Sequence, residues 1–155
     1  MIDIGISKKN YQEIAKLLNH LLANEYILYT KTWKFHWNVE GKHFGELHAF
    51  FDVQRKQLEE FIDEIAERIR ALDIKSDGTL TEFIEKSSLV EHPAKNPDDL
   101  SMLQLLLKDH EQIIKKLRED SEFIEKLGDH GTNNFLCTLI EKHEKMAWML
   151  RAHVQ

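Results

Sequence analysis

Histidine and carboxylate side chains at helical spacing are the feature of this sequence that could do chemistry. His48 and Asp52 are four residues apart. Asp63 and Glu67 repeat that spacing further along the chain. At 100° per residue the four positions fall within about 100° of one another around a helix axis. Side chains four residues apart can converge on one small object, so each pair predicts half of a metal site.

The two pairs are too far apart to hold one ion within one chain. Asp52 and Asp63 are separated by eleven residues, which is roughly 16 Å along a helix. Two copies packed antiparallel about a two-fold axis would bring the first pair of one copy against the second pair of the other. His36 could supply a third ligand beside His48, because a turn at Gly41 can fold it back. The predicted site is therefore shared between two subunits.

The ligand types indicate which metal such a site would take. Mixed imidazole and carboxylate ligands suit iron better than magnesium or calcium. The single cysteine, Cys137, excludes an intrachain disulfide and any multi-cysteine metal knuckle. Zinc remains a competitor. The site would bind ferrous iron and let it pass electrons to an oxidant. The alternative is a solvated polar helix face, and the spacing leaves it open.

Composition and periodicity predict the fold that must position these residues. The chain has 155 residues, of which 42% are hydrophobic, enough for one domain over residues 1–155. Apolar residues recur at helical spacing in four long segments. Those segments span about 7–37, 43–72, 97–127 and 132–150. The prediction is all-α: a four-helix bundle with a short extra helix in the connection between the second and third long helices.

Local signals predict where several helices begin and end. Thr79 and Glu82 have the spacing of a capping box ahead of the short helix. Asn96 is predicted as the N-cap of the third long helix, with Pro97 at its first position. Gly128 is predicted to end that helix. The last helix is predicted to begin near Thr132.

Charge and the start of the chain bear on partners and location. The chain carries 27 acidic and 21 basic residues, a formal net charge of -6, which favours cations over polyanions. It has no apolar run long enough to cross a bilayer, and the start MIDIGISKKN is too short and polar for a secretory leader. We therefore expect no membrane association and a cytoplasmic location, where association with the nucleoid is open.

Around the predicted ligands the sequence resembles the Dps family, the mini-ferritins of the ferritin-like superfamily. The matching motifs are WKFHWNVEG at 33–41, HF at 43–44, LH at 47–48, FD at 51–52, DEIAER at 63–68 and KHEKMAW at 142–148. The resemblance covers nearly the whole chain. In that family the matching positions are ferroxidase ligands shared across a two-fold dimer interface. They are His36, His48, Asp52, Asp63 and Glu67.

The resemblance also implies an assembly and an activity. It implies a homo-oligomeric shell of twelve subunits that oxidises ferrous iron, preferably with hydrogen peroxide rather than oxygen. The ferric mineral would be stored inside the shell. Removal of ferrous iron and of hydrogen peroxide would protect DNA from oxidative damage. Trp37 resembles a family tryptophan near the iron site that could donate an electron. An interface aromatic is the equal alternative for Trp37.

Ordinary ferritin chemistry is not expected. That class holds its metals inside one bundle with inward-facing Glu-x-x-His motifs. The one such motif here runs from Glu40 to His43 and spans Gly41 in the predicted turn. A di-iron centre within one subunit is therefore not predicted.

Other residues carry simpler expectations. His110 and His143 lie in apolar stripes, where hydrogen-bonded core histidines are expected rather than ligands. His43 is expected to cap or pack at the start of the second helix. Cys137 is expected to be a small buried hydrophobe.

Two departures from the family concern iron entry and DNA. The family lines its three-fold pores with acids near the start of the last helix, where this chain offers asparagines; the remaining acidic candidates are Asp120, Glu125 and Asp129.

Lysine-rich tails bind DNA phosphates in some members of the family. Here the first residues offer Lys8 and Lys9, expected to be helical, and the last five only Arg151 as a fixed charge. Direct DNA binding is not expected. The alternatives are a DNA-coating shell with vestigial metal residues and a helical interaction protein.

Overall fold

The four long helices and one short helix predicted from the sequence are confirmed. The computed structural model describes residues 2–93 and 96–155. In those ranges the chain forms five helices and no strand. They are α1 (Lys8–Asn38), α2 (Phe44–Ala71), α3 (Leu80–Lys86), α4 (Asp99–Lys126) and α5 (His130–His153). None of the described helices has an apolar stretch long enough to span a bilayer.

The connection between α2 and α4 runs along α1 in the same direction as α1. Near its start the backbone N–H of Asp77 donates to Asn19 at 2.9 Å. Near its end Lys34 donates to the carbonyl of His92 at 3.0 Å, and α3 packs on α1 in between. Since the short turn makes α1 and α2 antiparallel, the crossover makes α4 parallel to α2. Ferritin-like bundles have this one long crossover.

Local capping explains several helix ends. Thr79 Oγ1 accepts from the backbone N–H of Glu82 at 3.3 Å, and the Glu82 carboxylate accepts from the N–H of Thr79 at 2.9 Å. The predicted capping box is therefore confirmed. Hydrogen bonds from the backbone of Gly78 and from Thr79 lower the pKa of Glu82 to about 2. Gly128 follows α4 with φ of 81°, a conformation that favours glycine. Lys8 begins α1, as expected.

Two predicted helix starts are wrong by two residues. The N-cap of α4 is Asp98, not Asn96, because Asp98 accepts from the backbone N–H of Ser101 at 2.7 Å. The last helix begins at His130, not near Thr132, because Asp129 caps it and accepts from the Thr132 N–H at 2.9 Å. In each case an aspartate three residues before its donor satisfies the free end of the helix.

The bundle is built from two helical hairpins. The packing is most extensive within α1–α2 and within α4–α5, and the two hairpins meet chiefly through α1 and α4. Each long helix turns an apolar stripe inward. The largest fully buried side chains include Leu28, Phe35, Phe51, Phe61 and Ile65.

A buried ion pair ties the two hairpins to the crossover connection. Lys31 on α1 contacts the carboxylate of Asp109 on α4 at 2.5 Å and donates to the carbonyl of Val90 at 2.7 Å. Desolvation raises the pKa of Asp109 above its usual value, although Lys31 acts in the opposite direction. The attraction between the two charges offsets the cost of removing them from water only while both side chains are present.

Removing one partner of this pair should cost more than removing both. Lys31→Met leaves Asp109 buried without its cation, and we expect the free energy of unfolding to fall by about 3–5 kcal/mol. Lys31→Met combined with Asp109→Leu should recover most of that loss, because no buried charge remains. Urea denaturation followed by circular dichroism measures both variants. Equal losses in the single and double variants would contradict this account.

Candidate metal centre

The end of α1 and the start of α2 bring His36 and His48 face to face. Their rings stack with centroids 3.8 Å apart. Nδ1 of His36 lies 2.7 Å from the His48 carbonyl, and Nδ1 of His48 lies 2.8 Å from the His36 carbonyl. Because a carbonyl can only accept, each Nδ1 must be the donor, and in a neutral imidazole of this tautomer the lone pair is on Nε2. Metal ligation through Nε2 requires this tautomer.

The turn at residues 39–43 makes this meeting possible. The backbone N–H of Val39 closes α1 on the Phe35 carbonyl at 2.9 Å, and that of Phe44 donates to the Gly41 carbonyl at 3.1 Å. Gly41 has φ of 108°, which side chains with a Cβ rarely adopt. The reversal therefore depends on glycine and places the last turn of α1 beside the second turn of α2.

Asp52 lies one turn after His48 on α2 and is partly buried. Lys56 contacts one carboxylate oxygen at 2.7 Å, and Arg55 contacts the other at 2.9 Å. Hydrogen bonds from Lys56 and then Arg55 lower the pKa of Asp52 to about 2. The carboxylate is therefore ionised at neutral pH, and a bound cation would compete with two basic side chains. Arg55 was not predicted from the sequence, although its i, i+3 spacing from Asp52 was a usable signal.

Asp63 and Glu67 lie on the exposed face of α2, further along the helix. The structure thus brings His36 and His48 together, with Asp52 one turn away, and leaves the second pair apart. In the described part of one subunit, no three His, Cys, Asp or Glu side chains converge on one point. The assignment of all five residues as ligands remains a prediction.

Comparison with known proteins identifies the family. The family model of the ferritin-like domain matches residues 15–155. DNA protection during starvation protein 2 of Bacillus anthracis is 35% identical over 141 residues, covering 91% of this chain and 96% of its own length. The solved Dps protein of Vibrio cholerae O1 superposes with a TM-score of 0.95 at 33% identity, covering 100% of this chain and 97% of its own. The chain belongs to the Dps family.

Two further relatives are similar over nearly the whole chain. DpsC of Streptomyces coelicolor superposes with a TM-score of 0.97 at 27% identity, covering 100% of this chain and 91% of its own. An uncharacterised low temperature-induced protein of a Nostoc strain is 39% identical over 155 residues, covering 99% of this chain and 87% of its own length. The Dps resemblance stated from the motifs is thus confirmed.

Trp37 and His43 lie next to the candidate metal centre in the sequence, and both are exposed. Trp37 is 61% exposed and packs on Trp33 with ring centroids 4.8 Å apart. Exposure suits the interface role of Trp37, and its position next to His36 suits electron donation, so both predictions stand. His43 is the N-cap residue of α2 but makes no side-chain capping hydrogen bond.

The prediction that Cys137 is buried is wrong for the subunit. Cys137 is exposed, and its Sγ lies 3.8 Å from the hydroxyl oxygen of Ser121. The buried stripe of α5 includes Leu136, Leu139 and Ile140. Position 137 lies about 100° around the helix from Leu136 and falls outside that stripe.

Two of the three acidic pore candidates are engaged inside the subunit. Asp129 is 3% exposed and contacts Arg68 of α2 at 3.1 Å. Asp120 is also buried, and it forms an ion pair with Lys116. Glu125 is the exposed member of the set.

The predicted core histidines are confirmed, and they have an unpredicted neighbour. His110 and His143 are fully buried with their Nδ1 atoms 2.9 Å apart. Burial, and then the proximity of His143, lower the pKa of His110 well below its usual range. Glu25 of α1 is also fully buried, with Oε1 2.8 Å from Nε2 of His143. The usable signal was a glutamate in the middle of the apolar stripe of α1.

Two replacements of His48 should show how much its Nδ1 hydrogen bond stabilises the subunit. An asparagine amide can occupy the place of Nδ1 and donate to the His36 carbonyl, but it offers nothing at Nε2. We expect His48→Asn to be about 1 kcal/mol more stable than His48→Ala, the typical net value of a hydrogen bond. Thermal unfolding of the two variants measures the difference. Equal stability would show that the Nδ1 hydrogen bond contributes nothing.

Proposed function

We propose that this Dps chain is the subunit of a shell that oxidises ferrous iron and stores the ferric product. The observation that carries the proposal is the pair of free Nε2 atoms on His36 and His48, fixed by reciprocal hydrogen bonds. Imidazoles beside an ionised carboxylate suit Fe²⁺. Family membership supports the same substrate, since the Vibrio cholerae relative is described as one of the ferritin-like diiron-carboxylate proteins.

The site is completed by a second copy of the chain. His36, His48 and Asp52 come from one subunit, and Asp63 and Glu67 from its neighbour across a two-fold axis. Two features support this arrangement. Asp63 and Glu67 are exposed in the subunit, and the two carboxylate positions are roughly 16 Å apart along α2. An isologous interface would form two equivalent sites. Such dimers would assemble further into a cytoplasmic dodecamer.

The residues act by binding and orienting iron as a substrate. The two imidazoles and the carboxylates hold Fe²⁺ and leave positions for the oxidant. With hydrogen peroxide the balanced reaction is two Fe²⁺, one H₂O₂ and two protons giving two Fe³⁺ and two waters. Each peroxide takes two electrons at once, so no hydroxyl radical is released. We place peroxide ahead of oxygen as the oxidant, and zinc as a competitor for the same ligands.

Arg55 and Lys56 prepare Asp52 for this role. Their contacts at 2.9 and 2.7 Å keep the Asp52 carboxylate ionised and limit its rotation. Iron binding requires at least one of these cations to move away. Lys56 is the better candidate to move, because 63% of its side chain is exposed against 12% for Arg55.

Protection of DNA would be chemical rather than by coating. The net charge of -6 on each chain opposes association with a phosphate backbone. The lysines at the start of α1, Lys8 and Lys9, are part of the helix. Removal of ferrous iron and peroxide protects DNA without contact.

Loss of one carboxylate should abolish oxidation without unfolding the shell. Ferrous iron is loaded anaerobically, peroxide is added, and ferric absorbance and retained soluble iron are recorded. We expect Asp63→Asn to lower the oxidation rate at least tenfold, because the shared site loses a charged ligand. Glu64→Gln is the matched control, since Glu64 is the next exposed acid and has only a 3.7 Å contact with Lys142. If iron precipitates equally with the native protein and with both variants, the proposal of iron oxidation and storage is wrong and a scaffold role is favoured.

Sharing of the site between subunits predicts complementation. His48→Ala and Asp63→Ala are each inactive, but a mixed dimer has one intact site and one site that lacks both residues. Random mixing of equal amounts should restore roughly a quarter of the sites. Co-expression of the two tagged variants and purification through both tags measures this recovery. Absence of activity in the mixed shells would contradict a site shared across the two-fold axis.

Direct DNA binding should be absent at physiological salt. In a gel-shift titration at about 150 mM salt, we expect no retardation of duplex DNA by the assembled shell, because a negative surface releases few counterions. The same shells should protect plasmid DNA from iron and peroxide. Retardation at that salt would favour the DNA-coating alternative.

A further inference from the structure

Arg55 of α2 lies between the predicted ligand Asp52 and an aromatic surface of α1. The Nε and Nη2 atoms of Arg55 both donate to Oδ1 of Asp52, at 3.2 and 2.9 Å. The remaining terminal nitrogen, Nη1, donates to Glu59 one turn further along α2, at 3.0 Å. Two carboxylates of the same helix therefore bind the edges of the guanidinium group.

The face of the same guanidinium group packs on two aromatic rings of α1. Its Cζ atom lies 4.9 Å from the ring centroid of Trp33 and 6.0 Å from that of Tyr29. Trp33 and Tyr29 are four residues apart and share one side of α1, and their ring centroids are 5.3 Å apart. Only 12% of the Arg55 side chain is exposed. A cation over an aromatic face is attracted by the ring electrons, and the attraction is stronger where water is excluded.

Contacts at the edge and at the face together fix the orientation of a planar group. The carboxylates hold Arg55 within its plane, and the rings of α1 hold the tilt of that plane. Arg55 in turn holds Oδ1 of Asp52, so the other oxygen of that carboxylate, Oδ2, is the one that can accept a further cation. Oδ2 contacts Lys56 at 2.7 Å, and the Lys56 side chain is exposed. The two basic neighbours of Asp52 are therefore held very differently.

We propose that Trp33 is a positioning residue of the iron site, which acts through Arg55 to orient the Asp52 carboxylate. Arg55 stays on Oδ1 when metal binds, and the metal ion replaces Lys56 at Oδ2. The proposal rests on the function proposed above, because it takes Asp52 as a ligand. Partners that orient a ligating carboxylate typically change metal affinity by about tenfold to a hundredfold.

Charge repulsion alone predicts a different result for Arg55. Arg55 and Lys56 each place a positive charge beside Asp52, and each charge repels a metal ion. If repulsion were the only effect, removal of either charge would strengthen metal binding. A positioning role predicts opposite effects, because loss of Lys56 frees Oδ2 whereas loss of Arg55 leaves the carboxylate free to rotate. The two residues therefore form a matched pair for a test.

The test measures binding of Zn²⁺, which accepts imidazole and carboxylate ligands and has no redox chemistry. Assembled shells of the native protein and of each variant are titrated with zinc in a calorimeter, and Asp52→Asn shows how much binding depends on this carboxylate. We expect Arg55→Gln to weaken zinc binding about tenfold or more. Lys56→Gln should strengthen it about twofold to fivefold, because an exposed ion pair is weak. Trp33→Leu should weaken it about threefold or more, and Trp33→Phe, which keeps an aromatic face, should restore nearly native binding.

The outcomes separate a failure of the positioning role from a failure of the site. Opposite effects of Arg55→Gln and Lys56→Gln, with recovery in Trp33→Phe, support the proposal. Stronger binding in both Arg55→Gln and Lys56→Gln, or equal binding in Trp33→Leu and Trp33→Phe, overturns it and leaves the proposed iron site intact. Equal binding by the native protein and Asp52→Asn overturns the site and the positioning role together.

A second variant decides the matter if Arg55→Gln does not assemble. Arg55→Lys keeps the positive charge but has neither the planar face nor the row of donors along one edge. Zinc binding about tenfold weaker than that of the native protein supports the positioning role. Native affinity in Arg55→Lys overturns it, because charge alone would then account for the contact with Asp52.

Discussion

The reciprocal hydrogen bonds between His36 and His48 determine how the candidate metal centre is arranged. Each Nδ1 donates to the backbone carbonyl of the other residue, at 2.7 and 2.8 Å. Two side chains are thereby fixed by main-chain atoms on neighbouring helices, so their orientation follows the packing of α1 on α2. The same bonds select the tautomer that leaves both Nε2 atoms available. Any ligand set built here depends on that geometry.

The hairpin that positions these histidines is supported from the far side of α1. The crossover connection follows α1 and is attached to it at Asn19, Lys31 and Lys34. The connection therefore closes a face of α1 that would otherwise need another helix. Because α4 starts only after this crossing, its direction relative to α2 is fixed as well. The long helices could pack in several topologies, and this segment selects one.

Polar groups are distributed in two distinct ways in this subunit. The residues predicted as ferroxidase ligands are exposed or partly exposed in the subunit. Glu25, His110 and His143, by contrast, are fully buried between α1, α4 and α5. A hydrophobic core has no packing reason to keep a carboxyl group at full burial. The contact of Glu25 with His143 at 2.8 Å therefore joins α1 to α5 by a polar interaction inside the core.

Helical periodicity made most of the fold predictable, because i, i+3 and i, i+4 spacing is a local property that survives in the folded bundle. The capping box at Thr79 and the end of α4 at Gly128 were predictable for the same reason. The start of α4 was not, because Asn96 and Asp98 are both good caps and residue type alone does not choose between them. Cys137 was assigned to the wrong side because a single residue near the edge of a stripe carries little positional information.

The sequence by itself determined the helices, the turn at Gly41 and the spacing of His36, His48, Asp52, Asp63 and Glu67, since these follow from local geometry and from motifs of the Dps family. Tertiary structure alone decided the contacts that cross between elements. It stacked the imidazoles and fixed their tautomer, and it placed Glu25 against His143, residues 118 positions apart in the sequence. Contacts between distant residues depend on how helices pack, and spacing along one helix contains no information about that packing.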